Sequence, residues 1–191
     1  MIDTLLFDLD NTLLDFDKAE ANAITRALGD VGISVTNEMR DCYHKINLAQ
    51  WKLLEQGKMT REEVKMRRFK LLFQEFDIKV SPQEVAKHYQ DYLGQGHYFI
   101  EGAEEVLQEL SKRFRIYLVT NGTLSVQRGR LKSSGIEKYP QVLINVRVTD
   151  KKAAQDDVDV QAAVKKVTEE LGDIGRILVR ESGTESVKIL P

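Results

Sequence analysis

The sequence predicts an α/β protein: a partial parallel sheet with a helical cap inserted after its first strand, followed by a small α+β C-terminal segment. Three observations carry this. The short apolar run Thr4 to Phe7 ends abruptly in acids at Asp8 and Asp10, as a buried strand does when it delivers polar groups to its C-terminal edge. Roughly eighty residues of helical periodicity without a strand signal come next. A second apolar run, Arg115 to Val119, then ends in Thr120-Asn121-Gly122.

The elements follow in order. Beyond about Asp17, Ala19, Ala23, Ala27 and Val31 recur at helical spacing, and Gly32 offers a stop. A second helix is expected over Asn37 to Glu55. A third starts at Thr60, where Thr60 and Glu63 have capping-box spacing. A fourth starts at Ser81, with Pro82 in the first helical position and Glu84 completing another box. A further helix over Ala103 to Lys112 leads into the second strand, and a polar helix, Leu124 to Ser134, ends at Gly135. The texture changes after Tyr139-Pro140. Val142 to Val148 alternates like a strand, Val158 to Leu171 like a helix, and Ile177 to Val179 and Val187 to Leu190 like short strands. Tyr139-Pro140 is therefore the expected boundary between a unit over 1–138, with its cap over about 16–100, and a segment over 139–191.

Composition bounds the function. The 191 residues include 28 basic and 30 acidic ones, and the tail beyond Tyr139 carries 8 and 9 of them. Neither part has the excess charge of a nucleic-acid binder. No apolar run reaches the length needed to span a bilayer, and the acidic N-terminal stretch is unlike a signal peptide. The lone Cys42 excludes an internal disulfide and fits a reducing compartment. A cytoplasmic protein with no nucleic-acid or membrane partner is expected; the oligomeric state stays open.

The chemistry concentrates in Asp8-Leu9-Asp10-Asn11-Thr12-Leu13. Two carboxylates at i and i+2 beyond a strand end can face one pocket. They suit a hard divalent cation, and also covalent phosphoryl transfer with one acid attacking and the other moving the proton. The plainer alternative is a solvated turn in which Asp10 or Asn11 caps the next segment of chain. The stretch resembles the first motif of the haloacid dehalogenase superfamily, D-x-D-x-T-L. In that family the first Asp is the nucleophile, the second is the acid/base, and Mg²⁺ sits beside both. The second family motif is an apolar strand ending in a hydroxyl residue that holds the phosphoryl group, matched here by Tyr117 to Gly122 with Thr120 in place. The resemblance implies a Rossmann-like sheet, a catalytic set of Asp8, Asp10, Thr120 and Asn121, and Mg²⁺ at Asp8 and Asp10. Asn121-Gly122-Thr123, followed by Gln127-x-x-Arg130-Leu131, is similar to the nucleoside 5′-monophosphatase branch. A solvated helix face is the other reading of Gln127 and Arg130.

The resemblance breaks after Tyr139. The family's Lys and its second acidic pair have no recognisable counterpart. Tyr139 to Val148 and Gly175 to Glu185 resemble the last domain of the phosphohexose mutases, that of phosphoglucosamine mutase in particular. That implies a sugar-phosphate grip by Arg180, Ser182, Gly183 and Thr184, chemistry that suits a bidentate guanidinium, two hydroxyls and a close backbone approach. Ser186 stands where that family has Pro, and its last helix is missing. A competing reading places Glu181 or Glu185 as stand-ins for the missing metal carboxylates and Lys151 or Lys152 for the missing Lys.

The expected function is a Mg²⁺-dependent phosphomonoester hydrolase for a small phosphate such as a nucleoside 5′-monophosphate, weak or inactive without the later motifs. The alternative is a non-catalytic, chimeric or truncated phosphate-binding protein. Other residues receive plain expectations: solvated or half-buried histidines at 44, 88 and 97, Trp51 in the cap core, and a solvated basic face at Lys65, Arg67, Arg68 and Lys70.

Overall fold

The structure, a computed structural model, describes residues 3–139 in full and, beyond them, the strands 142–145, 177–180 and 187–190. Strand β1 (Thr4–Phe7) is followed by helices α1 (Phe16–Gly29), α2 (Asn37–Glu55), α3 (Arg61–Glu75), α4 (Pro82–Leu93) and α5 (Ala103–Ser111). Then come β2 (Arg115–Thr120), α6 (Leu124–Ser134), β3 (Val142–Asn145), β4 (Ile177–Arg180) and β5 (Val187–Leu190). β1, β2 and β3 form a parallel sheet in that order. The whole cap is thus threaded between two neighbouring strands, β1 and β2.

The cap forms because each helix has a chemically defined start. Asp15 accepts from the Lys18 amide at 2.8 Å, and Thr36 accepts from Met39 at 3.2 Å. Thr60 and Glu63 make the full reciprocal box. At Ser81 the hydroxyl accepts from the Glu84 amide at 3.4 Å and donates to Gln83. Each such cap satisfies a backbone donor that the first turn otherwise leaves unpaired. α1 starts at Phe16 and its regular turns run to Gly29; Gly32 then closes the end as expected, in the left-handed conformation (φ 79°), with its amide donating to the Gly29 carbonyl at 2.9 Å and the Ile33 amide to Leu28 at 3.0 Å.

Inside the cap, Ala19, Ala23, Ala27 and Leu28 of α1 pack against Tyr43, Phe69, Leu72, Val85 and Tyr89. The rings of Tyr43, Phe69 and Tyr89 lie mutually 5.4 Å apart. A second core holds Leu9, Leu13, Leu14, Leu107, Ile116, Leu118, Leu131 and Ile136 around the sheet.

Two expectations are corrected here, those for Arg68 and Trp51. Arg68 is buried, because it shares the inward stripe of α3 with Val64, Phe69 and Leu72. Its charge is carried by Asn47 at 2.9 Å, which in turn donates to Glu20 at 2.5 Å. Trp51 is half-buried and lies outside the cap core, with the Arg61 guanidinium 5.5 Å over its ring. The tail's strands also part company. β3 joins β2 in parallel, with Thr120 opposite Asn145, whereas β4 and β5 pair antiparallel in a sheet of their own. Residues 146–148 and the expected helix over 158–171 lie outside the described residues.

His44 bonds Glu20 at 2.7 Å, His88 reaches Asp30 at 3.2 Å and His97 meets the Gln95 carbonyl at 2.8 Å. Burial pushes the half-buried Cys42 thiol up, which fits an unreactive cysteine. No helix among the described residues is long and apolar enough to cross a membrane.

Candidate active site

The site is built where β1 and β2 end side by side. Phe7 pairs with Leu118 in parallel register, so Asp8 and Thr120 leave the sheet at the same edge. Beyond Phe7 the chain folds into a tight loop, with the Leu13 and Leu14 amides donating to the Leu9 carbonyl at 3.1 and 3.0 Å. Asn11 takes the left-handed conformation, φ 56°, which asparagine tolerates better than most residues. Its side chain accepts from the Phe16 amide at 2.8 Å. The turn-and-cap reading thus describes Asn11, while the two aspartates are used otherwise.

Asp8 presents an exposed carboxylate edge and accepts from the Thr12 hydroxyl at 3.2 Å. Enough of it is packed against the loop that desolvation raises its carboxyl above the ordinary range, with the Asp10 charge adding to the rise. The Leu9 amide, Thr12 and Arg130 oppose that rise. Asp10 is held on both oxygens. Gln127 donates to Oδ2 at 2.6 Å, and Arg130 forms a short ion pair with Oδ1.

Gln127 and Arg130 are the residues whose weight the sequence leaves undecided. Neither lies on a solvated face: Gln127 is 1% and Arg130 0% exposed. The Gln127 amide also donates to the Thr120 hydroxyl at 2.8 Å, so a single side chain ties the first motif to the second. Gly122 permits this. A Cβ there would meet the Gln127 side chain, with Cδ only 2.7 Å away. The Gly122 amide donates to Thr120 at 3.2 Å. The periodicity of α6 could have exposed the pair, since 126, 127, 130 and 131 form one helical stripe.

The cap meets this edge where Arg61 donates to the Asn121 carbonyl at 2.9 Å. Asp8, Asp10, Thr120 and Asn121 therefore come to one edge. Arg180 lies at the end of β4, and Ser182, Gly183 and Thr184 lie outside the described residues. Among the described residues no three His, Cys, Asp or Glu side chains converge as a cation site. What the described residues offer a cation is a set of hard oxygens, Asp8 foremost, with the Asp10 side chain already engaged.

Comparison with known proteins identifies the family. The family model for haloacid dehalogenase-like hydrolases matches residues 5–169. The chain is 41% identical over 133 residues to HAD-hydrolase YfnB of Bacillus subtilis, covering 70% of this chain and 57% of that protein. It is 39% identical over 150 residues to pyrimidine 5′-nucleotidase PynA of Streptococcus pneumoniae, covering 78% and 63%. It thus spans about three-fifths of these relatives. The magnesium-bound crystal structure of YfnB superposes with a TM-score of 0.71 at 38% identity, over 75% of this chain and 65% of that one. A 49-residue stretch, 26% of the chain, is 71% identical to 11% of phosphoglucosamine mutase from Lachnospira eligens. The haloacid dehalogenase match nonetheless runs through the whole described α/β unit and past Tyr139, and the chain belongs to the haloacid dehalogenase-like hydrolase family.

Proposed function

We propose that the chain is a cytoplasmic, Mg²⁺-dependent phosphomonoester hydrolase for a small phosphate such as a nucleoside 5′-monophosphate, and a slow one. The observation that carries this reading is the Gln127 amide, which holds Asp10 and Thr120 at once. The likeness to a pyrimidine 5′-nucleotidase supports the substrate class. Nearly balanced charge argues against a nucleic-acid substrate.

In the proposed reaction, an Asp8 oxygen bonds to phosphorus as the bond from phosphorus to the leaving oxygen breaks. Asp10, which must first part from Arg130 and take up a proton, gives that proton to the leaving oxygen. Water then attacks the aspartyl phosphate, Asp10 takes the water's proton, and inorganic phosphate departs as Asp8 is restored. The Thr120 hydroxyl orients the phosphoryl oxygens. A magnesium ion would be held by the Asp8 carboxylate and the Asp10 main-chain carbonyl, and when bound it offsets the phosphate's negative charge.

Slowness follows from charge. A phosphate monoester carries close to two negative charges at neutral pH, and Asp8 and Asp10 stand beside it. Among the described residues Arg130 is committed to Asp10, and no further carboxylate joins Asp8 around a cation. Losing one electrostatic contributor of this kind costs about a hundredfold to a thousandfold in rate. The test is phosphate release from p-nitrophenyl phosphate and nucleoside monophosphates, with and without Mg²⁺, using Asp8→Asn as control.

A second reading is favoured by one observation, the 71% identity of the 49-residue stretch to a phosphoglucosamine mutase. It makes the chain a chimeric phosphate-binding protein without turnover. Sugar-phosphate binding that survives Asp8→Asn, with no release of phosphate, would select it.

A further inference from the structure

Arg130 does more than neutralise Asp10. Arginine is seldom fully buried without a strong local reason, and here the guanidinium is 0% exposed. Its contacts fall on three different pieces of chain. Nη1 pairs with Asp10 in the loop after β1. Nε donates to the Gly96 carbonyl at 3.4 Å, where the chain leaves the cap. Its Cζ lies 5.7 Å from the ring of Phe16, where the chain enters the cap.

Those entry and exit segments are bonded to each other. The Asp15 amide donates to the Tyr98 carbonyl at 2.8 Å, and the Ile100 amide donates to Leu13 at 3.0 Å. The cap thus hangs on a paired linker, and Arg130 spans from that linker to Asp10. The backbone of α6 is pressed against the cap at the same place, since a Cβ on Gly129 would meet the Gly94 carbonyl at 2.7 Å. Moving the cap therefore moves the partners of a buried charge. A guanidinium is a rigid planar fork, so its donors cannot follow separate partners independently. Removing one partner of a buried ion is also far costlier than breaking an exposed pair.

We propose that Arg130 is a positioning residue that couples the Asp10 carboxylate to the seating of the cap linkers. Asp10 is held in the site while Gly96 and Phe16 are seated on α6, and a displaced linker releases it. The functional consequence rests on the reading of Asp10 as the acid/base, but the coupling can be measured without turnover.

The measurement is amide hydrogen exchange at Asp15 and Ile100 in the full chain, with Leu118 in the sheet as the internal control. Asp10→Asn alters only a side chain bonded to Gln127 and Arg130 and leaves the backbone bridge of Asp10 to Leu14 in place, yet it is expected to speed exchange at both amides by about tenfold or more, the scale set by losing a charged partner of a buried group. Arg130→Met should speed the same amides, and adding Asp10→Asn to it should change them no further. Arg130→Lys keeps the charge and should fall between wild type and Arg130→Met; it is also the reference if Arg130→Met does not fold. Linker exchange in Asp10→Asn equal to wild type, or effects of the two substitutions that simply multiply, would overturn the proposal. Phosphatase assays on the same proteins judge the reading of Asp10 separately, so either can fail alone.

Discussion

The Asp10–Arg130 pair makes an asymmetric prediction about stability. Both Asp10→Ala and Arg130→Met break the same ion pair, but they strand different charges. Asp10→Ala leaves a guanidinium with 0% exposure, whereas Arg130→Met leaves a carboxylate with 24% exposure that water can reach. The first case is a buried charge without its partner, worth about 3–5 kcal/mol. In the second, water solvates much of what is lost, and methionine refills most of the stem's volume. The remaining loss is about 1–3 kcal/mol, including the long bond to the Gly96 carbonyl. Asp10→Ala should therefore unfold at clearly lower urea than Arg130→Met, with unchanged slopes, when the two are compared in one equilibrium titration. Equal midpoints, or Arg130→Met as the weaker variant, would refute the claim that burial of the guanidinium dominates the pair.

Three further outcomes are expected. Gln127→Leu, close in volume, should leave the cap folded but cost roughly tenfold to hundredfold in kcat/KM, since it removes the bonds to Asp10 and Thr120. Gly122→Ala should be nearly as damaging, because its Cβ displaces the Gln127 side chain, and circular dichroism should show an intact fold. Stability should fall as pH rises through neutrality. The hydrogen bond to the ionised Glu20 raises His44 above its ordinary 6.5, so the folded chain holds the imidazole proton more tightly than the unfolded chain does. The His44 contribution is complete below 6.5 and is lost as pH passes its raised value; thermal melts of His44→Ala should lose that part of the slope.

The legible parts of this chain are those written in local chemistry. Thr60 and Ser81 announce helix starts through hydroxyls that cap a first turn. Asp8 and Asp10 stand out because acids directly after an apolar strand contribute nothing to its core. The inward stripe of α6 is harder to read, because two of its four buried residues are Gln127 and Arg130. A pattern read as apolar against polar finds no face there, although the spacing is helical. Arg68 is the same case in milder form, a charge on an otherwise apolar stripe whose partners come from α1 and α2. The pairing of β3 with β2 is not legible either. An alternating strand declares that it has two faces but not which neighbour it joins, and its likeness to a mutase segment points away from the sheet it enters.

In the proposed reaction Asp8 attacks phosphorus in a site assembled by Gln127 and, among the described residues, short of positive charge. The most direct measurement is steady-state release of phosphate from p-nitrophenyl phosphate in saturating Mg²⁺, for wild type and Asp8→Asn. The expected result is release that needs Mg²⁺, vanishes in Asp8→Asn, and runs about a hundredfold to a thousandfold below the ~10 per second of a typical enzyme. Release that survives Asp8→Asn would contradict the assignment of the nucleophile, and several turnovers per second would contradict the charge deficit.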